Sequence, residues 1–367
     1  MGPNTRLVEF ILLILPAALF AETAKMGESD IRECYYKSYR YEKASNYNDA
    51  IKSLLLVQQN FPNGYTVNLR LGWLNYLGGN FAGAETSYRT ATKLAPASLE
   101  PKLGRMLVLQ AQGRYLQMES LARQVLEKDA FNFYGALRLS AALRLQKKHD
   151  LAMEGLSRLR RMYPADPQLF AEESRLLLAR GKKAPKSPLR PFTVSLQFQQ
   201  KQQYKTAIEK MAGIDRTKTT DYVYYLRLGW LYYQSGRYAN AESSYLKTLA
   251  GAAPAVEAQL GYLLVLMSQG RYEEVEARGK RILEQDRWNY YANLRVAKAL
   301  RAQKKLAVAE KQVLQMLILY PTDVSFLTEL ALIRVARENG IGAKQLFYAV
   351  LTLDPENVTA KKGLADL

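Results

Sequence analysis

The chain has 367 residues, 48% hydrophobic and 23% charged, which are the proportions of a folded protein rather than a disordered one. One histidine and one cysteine are too few for a zinc site built from those ligands and exclude an intramolecular disulfide, and they leave His149 as the sole histidine that a hydrolytic triad could use. With 52 Lys and Arg against 34 Asp and Glu the net charge is +18, a surface that attracts acidic proteins, anionic lipid headgroups, acidic polysaccharide or nucleic acid; the plainer reading is a solvated basic surface with no specific ligand.

At the N-terminus Arg6 precedes an apolar run from Leu7 to Phe20, broken only by Glu9 and Pro16 and closing on Ala17-Ala18-Leu19-Phe20-Ala21. This is the layout of a secretory signal peptide. The run is too short to cross a bilayer, which needs about 20 residues. Cleavage is expected after Ala21, with Ala18 and Ala24 as alternatives, leaving residues 22–30 as a lead-in. The expected location is the periplasm or cell envelope, with secretion as the alternative. An uncleaved amphipathic first helix is the competing reading. Cys34 is expected as a small buried apolar residue.

Beyond residue 31 the sequence is periodic. Tyr47, Phe81, Tyr115 and His149 are spaced by 34, Ala50 and Ala84 share that spacing, and Pro62, Pro96 and Pro164 fall on the same grid. A longer repeat lies over it. Shifted by 157, residues 65–166 align with 222–323 without a gap, and 43 of 102 pairs are identical. Leu69-Arg70-Leu71-Gly72-Trp73-Leu74 thus falls on Leu226-Arg227-Leu228-Gly229-Trp230-Leu231. The chain is an internal duplication. The first array spans 31–180, as four units and a lone helix. A Pro/Lys linker covers 181–191, and its three prolines exclude regular helix. The second array spans 192–357, and 358–367 suffice for a short C-terminal cap. The second array opens on Phe192, Val194, Leu196 and Phe198. These alternate as a strand would, but Tyr204 and Ala207 sit on the repeat grid and favour a shortened first helix.

Each unit specifies two helices. In 65–98 the first carries Leu69, Leu71, Gly72 and Trp73, and Gly78-Gly79 break it. The second places Ala84, Tyr88, Ala91 and Leu94 on one face, and Pro96 ends the pair. Leu71-Gly72, Ala84, Tyr88, Ala91 and Pro96 resemble the tetratricopeptide repeat family, and so do Leu228-Gly229, Ala241 and Tyr245, with Pro254 displaced by one. Ala331, Ala343, Phe347, Val350 and Pro355 carry the pattern to the C-terminal end, while Asn68 stands where the family often has an aromatic. The resemblance implies an all-α solenoid of about nine helix-turn-helix units in two duplicated lobes, stacked as an open curve with a concave groove lined by first helices.

On that grid the resemblance places Arg70, Trp73, Tyr76, Tyr134, Arg138 and Arg144 in the groove in the first half. In the second half it places Arg227, Trp230, Tyr233, Tyr291, Arg295, Lys298 and Arg301 there. Guanidinium forks beside aromatic faces suit carboxylates and flat groups. The competing reading packs Trp73 and Trp230 between hairpins and pairs the arginines with acids of the adjacent repeat. The family's carboxylate clamp uses asparagines and lysines where Trp73 and Leu107 stand, so that function is not carried over.

His149 is expected in an inter-helix turn, at a position filled elsewhere by tyrosine or phenylalanine, and reads as packing; no phosphate loop or dinucleotide fingerprint occurs. The expected function is therefore a non-catalytic exported scaffold without cofactor. It would bind a protein or peptide partner of acidic character, with an anionic polysaccharide or membrane surface as the alternative. Nucleic acid is disfavoured by export, and bare array ends allow homo-oligomers.

Overall fold

The structure, a computed structural model, describes residues 26–183, 192–214, 218–251 and 255–367. The signal peptide 1–21, most of the linker 181–191 and Pro254 lie outside the described residues. Twenty α-helices and no strand occur among the described residues. They run α1 (Glu28–Lys43), α2 (Tyr47–Asn60), α3 (Tyr65–Leu77), α4 (Phe81–Leu94), α5 (Glu100–Ala111), α6 (Tyr115–Lys128), α7 (Phe133–Leu145), α8 (His149–Met162), α9 (Pro167–Ala179) and α10 (Thr193–Gln200). They continue as α11 (Tyr204–Glu209), α12 (Lys218–Gln234), α13 (Tyr238–Gly251), α14 (Val256–Ser268), α15 (Tyr272–Gln285), α16 (Tyr290–Ala302), α17 (Leu306–Leu319), α18 (Val324–Ala336), α19 (Gly340–Leu353) and α20 (Val358–Ala365). None is long and apolar enough to cross a membrane.

The grid residues Tyr47, Phe81, Tyr115 and His149 each open the second helix of a pair, as do Tyr204, Tyr238 and Tyr272. His149 thus begins a helix instead of sitting in the turn before it. The turns themselves keep the period. Ser45, Gly79, Gly113, Lys147 and Gly181 have φ between 56° and 77°, each 34 residues after the last. Gln202, Gly236, Gly270, Lys304 and Glu338 form the same ladder, displaced by 157. A left-handed residue there reverses the chain and lets the following N–H groups satisfy the last helical carbonyls. Gly79 N–H donates to Tyr76 O at 3.1 Å and Asn80 N–H to Asn75 O at 2.9 Å. Gly181 occupies the same rung, so α9 ends on the turn that elsewhere joins the two helices of a pair. The alternating segment 192–198 forms α10, a shortened first helix anchored by fully buried Phe192. Its partner α11 is also short, at six residues.

Packing explains the small residues. The Tyr88 ring, 2% exposed, fits between Gly72 of its own hairpin and Gly104 of the next. A Cβ on Gly72 would stand 2.7 Å from that ring, and one on Gly104 closer still. Tyr245 is held in the same way between Gly229 and Gly261. Asn68, absent from the family pattern, is buried because its Nδ2 donates to Pro62 O (2.9 Å) and Gly64 O (2.8 Å), satisfying the entry turn. Asn293 repeats this on Arg287 O and Asn289 O.

The contacts divide the chain into one unit of residues 1–125 with 300–367 and another of 126–299. This division by contact cuts the chain differently from the division into sequence repeats, because each unit combines segments of both halves. In an open stack hairpins touch only their sequence neighbours. Here distant segments meet within each unit. In the first, Leu99 N–H donates to Leu319 O (2.8 Å), and Arg32 lies 4.5 Å over the Tyr348 ring. Glu100 accepts from Tyr65 Oη (2.7 Å) and from Thr322 Oγ1 (2.7 Å). In the second unit the counterparts recur. Glu257 accepts from Tyr222 Oη (2.9 Å) and Ala165 N–H (3.2 Å), and Asn289 Nδ2 donates to Tyr163 Oη (3.1 Å).

Enclosure of these two carboxyls sets a pH dependence. Burial outweighs the hydrogen bonds and raises Glu100 and Glu257 each from 4.5 to about 7. Between those values the unfolded chain has released both protons and the folded chain keeps them. Stability therefore falls as pH rises through this window, by at most about 1.4 kcal/mol per pH unit and group. Asp286, raised by burial to about 6, adds to the same slope below that pH. Urea unfolding from pH 5 to 8 should give higher midpoints at pH 5, and Glu100→Gln/Glu257→Gln should flatten the profile. A wild-type midpoint rising steadily to pH 8 would refute this account.

Candidate binding surface

Arg70 projects from α3 onto α1, where Ser38, Tyr39 and Glu42 occupy successive positions of one face. Its Nη1 stands 2.5 Å from Glu42 Oε2, its Nε and Nη2 reach Ser38 Oγ at 3.3 and 3.2 Å, and its guanidinium lies 3.8 Å over the Tyr39 ring. One turn on, Trp73 Nε1 donates to Glu42 Oε1 at 2.7 Å. A single carboxylate thus bridges an arginine and an indole. Tyr76 packs against Trp73 and Phe81, with ring centroids at 5.8 and 6.2 Å.

The equivalent second-half residues lie on α12 over α10, with different partners. Arg227, 9% exposed, donates through Nη2 to Ser195 Oγ and Gln199 Oε1, both at 3.1 Å. Its Nε is buried without an acceptor, and burial lowers the guanidinium to about 10. No acid pairs with it among the described residues. Trp230 is 37% exposed and stacks on Tyr233 at 5.8 Å.

Tyr134 on α7 and Tyr291 on α16 are 50% and 54% exposed. Arg138 and Arg295, one turn along, lie 5.7 and 5.3 Å over these rings, and Arg295 Nη1 also donates to Leu260 O. Phe133 and Tyr290 brace the two tyrosines edge-on, with centroids at 5.4 and 5.1 Å. Lys298 follows on α16 and is half-buried. Arg144 and Arg301 are engaged internally. Arg144 Nε stands 2.8 Å from Glu172 Oε1, and Arg301 Nε 2.6 Å from Glu329 Oε1; both acids are almost fully buried.

The thirteen residues expected in the groove therefore divide by surroundings. Arg70, Arg144 and Arg301 close ion pairs with neighbouring hairpins, while Tyr134, Tyr291 and Trp230 present aromatic surface to solvent. Arg70, Trp73, Tyr76 and Arg301 belong to the first contact unit and the other nine to the second. The acids that hold the arginines, Glu42, Glu172 and Glu329, were not singled out by sequence. Each lies 28 residues from its arginine, one repeat less six, and that recurring interval is the signal that marks them. Glu85 is a further hub. Hydrogen bonds from Arg114, with Arg89 and Arg105, hold its carboxyl down to about 2. No group of His, Cys, Asp or Glu among the described residues could hold a metal ion.

Repeated helical hairpins carrying exposed aromatic and cationic side chains define a helical-repeat protein, a fold typical of protein–protein interaction scaffolds. Residues 37–98 and 226–287 match the tetratricopeptide repeat family, and both halves of the duplication carry this repeat. No curated protein matches the sequence. Among solved structures, the anaphase-promoting-complex hetero-tetramer Cut9–Hcn1 is 16% identical, with a TM-score of 0.43 over 99% of this chain and 81% of that one. A tetratricopeptide repeat protein from Parabacteroides merdae is 14% identical, with a TM-score of 0.35 over 82% and 97%. YrrB, described as a repeat protein with an unusual peptide-binding site, is 14% identical, with a TM-score of 0.38 over 55% and 100%.

Proposed function

We propose that this protein is an exported, non-catalytic adaptor that holds an acidic protein or peptide partner in the cell envelope. The observation that carries the reading is the pair Tyr134/Arg138 and Tyr291/Arg295. Half-exposed aromatic faces, each topped by a guanidinium, stand at equivalent positions of both repeats. Tyrosine supplies stacking area with few rotors, and arginine supplies a fork for carboxylates. The layout of residues 1–21 supports export. Affinity capture from envelope extract should recover one defined protein, and Tyr134→Ser/Tyr291→Ser should reduce its recovery at least tenfold without changing the melting temperature. Recovery undiminished in the double variant would move the site elsewhere. An intact Met1 on the mature protein would remove export from the proposal.

The net charge of +18 favours one second reading, the binding of an anionic envelope polymer. Its affinity would fall steeply with salt through counterion release. Binding that is absent or indifferent to salt would dismiss it.

A further inference from the structure

We infer that Arg227 and Trp230 form a receptor for a glutamate or aspartate side chain of the partner, a position that the first half fills with its own Glu42. The inference rests on the adaptor reading and names the chemistry of one contact within it.

The duplication supplies the comparison. In the first half Arg70 has three kinds of support: Ser38 Oγ, the Glu42 carboxylate and the Tyr39 ring. Shifting by 157 keeps the serine as Ser195, turns Glu42 into Gln199 and turns Tyr39 into Leu196. Arg227 has therefore lost its counter-charge and its aromatic face, yet the arginine is retained and is only 9% exposed. A guanidinium withdrawn from water without a counter-charge is costly, and an amide oxygen does not neutralise it. The buried Nε without an acceptor marks the same deficit in one atom.

The indole repeats the pattern. Trp73 Nε1 donates to Glu42, whereas Trp230 Nε1 has no acceptor among the described residues. Trp230 is also the more exposed of the two, so the position opens to solvent. Glu42 shows what the two donors accept: one carboxylate, one oxygen on the arginine at 2.5 Å and the other on the indole at 2.7 Å. The occupant of the first half is a polypeptide side chain presented from a helix. A protein partner is thus favoured over a uronate polymer.

The chain has three tryptophans, Trp73, Trp230 and Trp288, so indole N–H resonances of the 15N-labelled full-length protein read the site directly. The probes are a blocked peptide containing glutamates, its glutamine counterpart and an oligo-uronate, with Trp→Phe variants assigning the peaks. The glutamate peptide should move the Trp230 resonance and leave Trp73 unmoved, and the glutamine peptide should move neither. Gln199→Glu should weaken the peptide at least tenfold and carry the Trp230 resonance toward the position of Trp73. Glu42→Gln should make Trp73 respond to the peptide. A Trp230 peak indifferent to the glutamate peptide, or unchanged affinity in Gln199→Glu, overturns the inference. Response to the uronate alone overturns its protein partner. The adaptor reading fails separately. If Gln199→Glu still captures the envelope partner in full, only this inference falls. If the peptide binds at Trp230 and no partner is ever captured, only the adaptor reading falls.

Discussion

Tyr88→Ala and Tyr245→Ala should each lower stability by about 3–5 kcal/mol, the range for deleting a large buried ring. Each ring is 2% exposed and lies between glycines of two successive first helices, so its removal leaves a void that stiff helix backbones cannot collapse to fill. The converse substitution gives a smaller loss. A methyl at Gly104 or Gly261 overlaps the ring, at about 1–3 kcal/mol for overpacking, offset by up to about 1 kcal/mol of helix propensity gained by alanine. Combining Gly261→Ala with Tyr245→Ala should cost less than the sum of the two, because the methyl occupies part of the vacated volume. Urea unfolding followed by circular dichroism measures all five. A loss below about 1 kcal/mol for either tyrosine would mean that the aromatic does not wedge the hairpins together.

Arg301→Ala should be as damaging, and Arg144→Ala clearly less so, although the two arginines are duplicates. Glu329 is 1% exposed at its side chain and has no second cation among the described residues. Removing Arg301 leaves a buried, unpaired carboxylate, a change that costs about 3–5 kcal/mol. Glu172 also loses its principal partner in Arg144→Ala, but Arg175 remains 3.4 Å away. The shift by 157 places Leu332 at the equivalent of Arg175, which is why the second copy lacks this reserve. Arg301→Leu/Glu329→Leu should recover most of the loss, since an apolar pair avoids the desolvation of two charges. Equal melting temperatures for Arg301→Ala and Arg144→Ala would show that the reserve cation carries no weight.

Much of this molecule was legible before any coordinates. The period of 34, the shift of 157, the need for a small Gly72 where helices approach and the two-helix pattern of each unit follow from sequence. They depend on helical faces and turns, and such local order is written within a few residues. Tyr134 and Tyr291 were placed in the groove by the family resemblance alone, and it is the structure that shows them 50% and 54% exposed.

The fate of the arginines was decided by tertiary structure. Arg70, Arg144 and Arg301 share a sequence environment with side chains that face solvent. Their charges are spent on Glu42, Glu172 and Glu329 only because adjacent hairpins bring residues 28 apart into contact. Arg227 has the same helix position as Arg70, but the facing helix offers it the Gln199 amide oxygen in place of a carboxylate. The meeting of Glu100 with Thr322 is more remote still, 222 residues apart. Nothing in a 34-residue period specifies such a pair. It depends on small rotations between successive hairpins, summed over many repeats and set by how side chains pack at every interface.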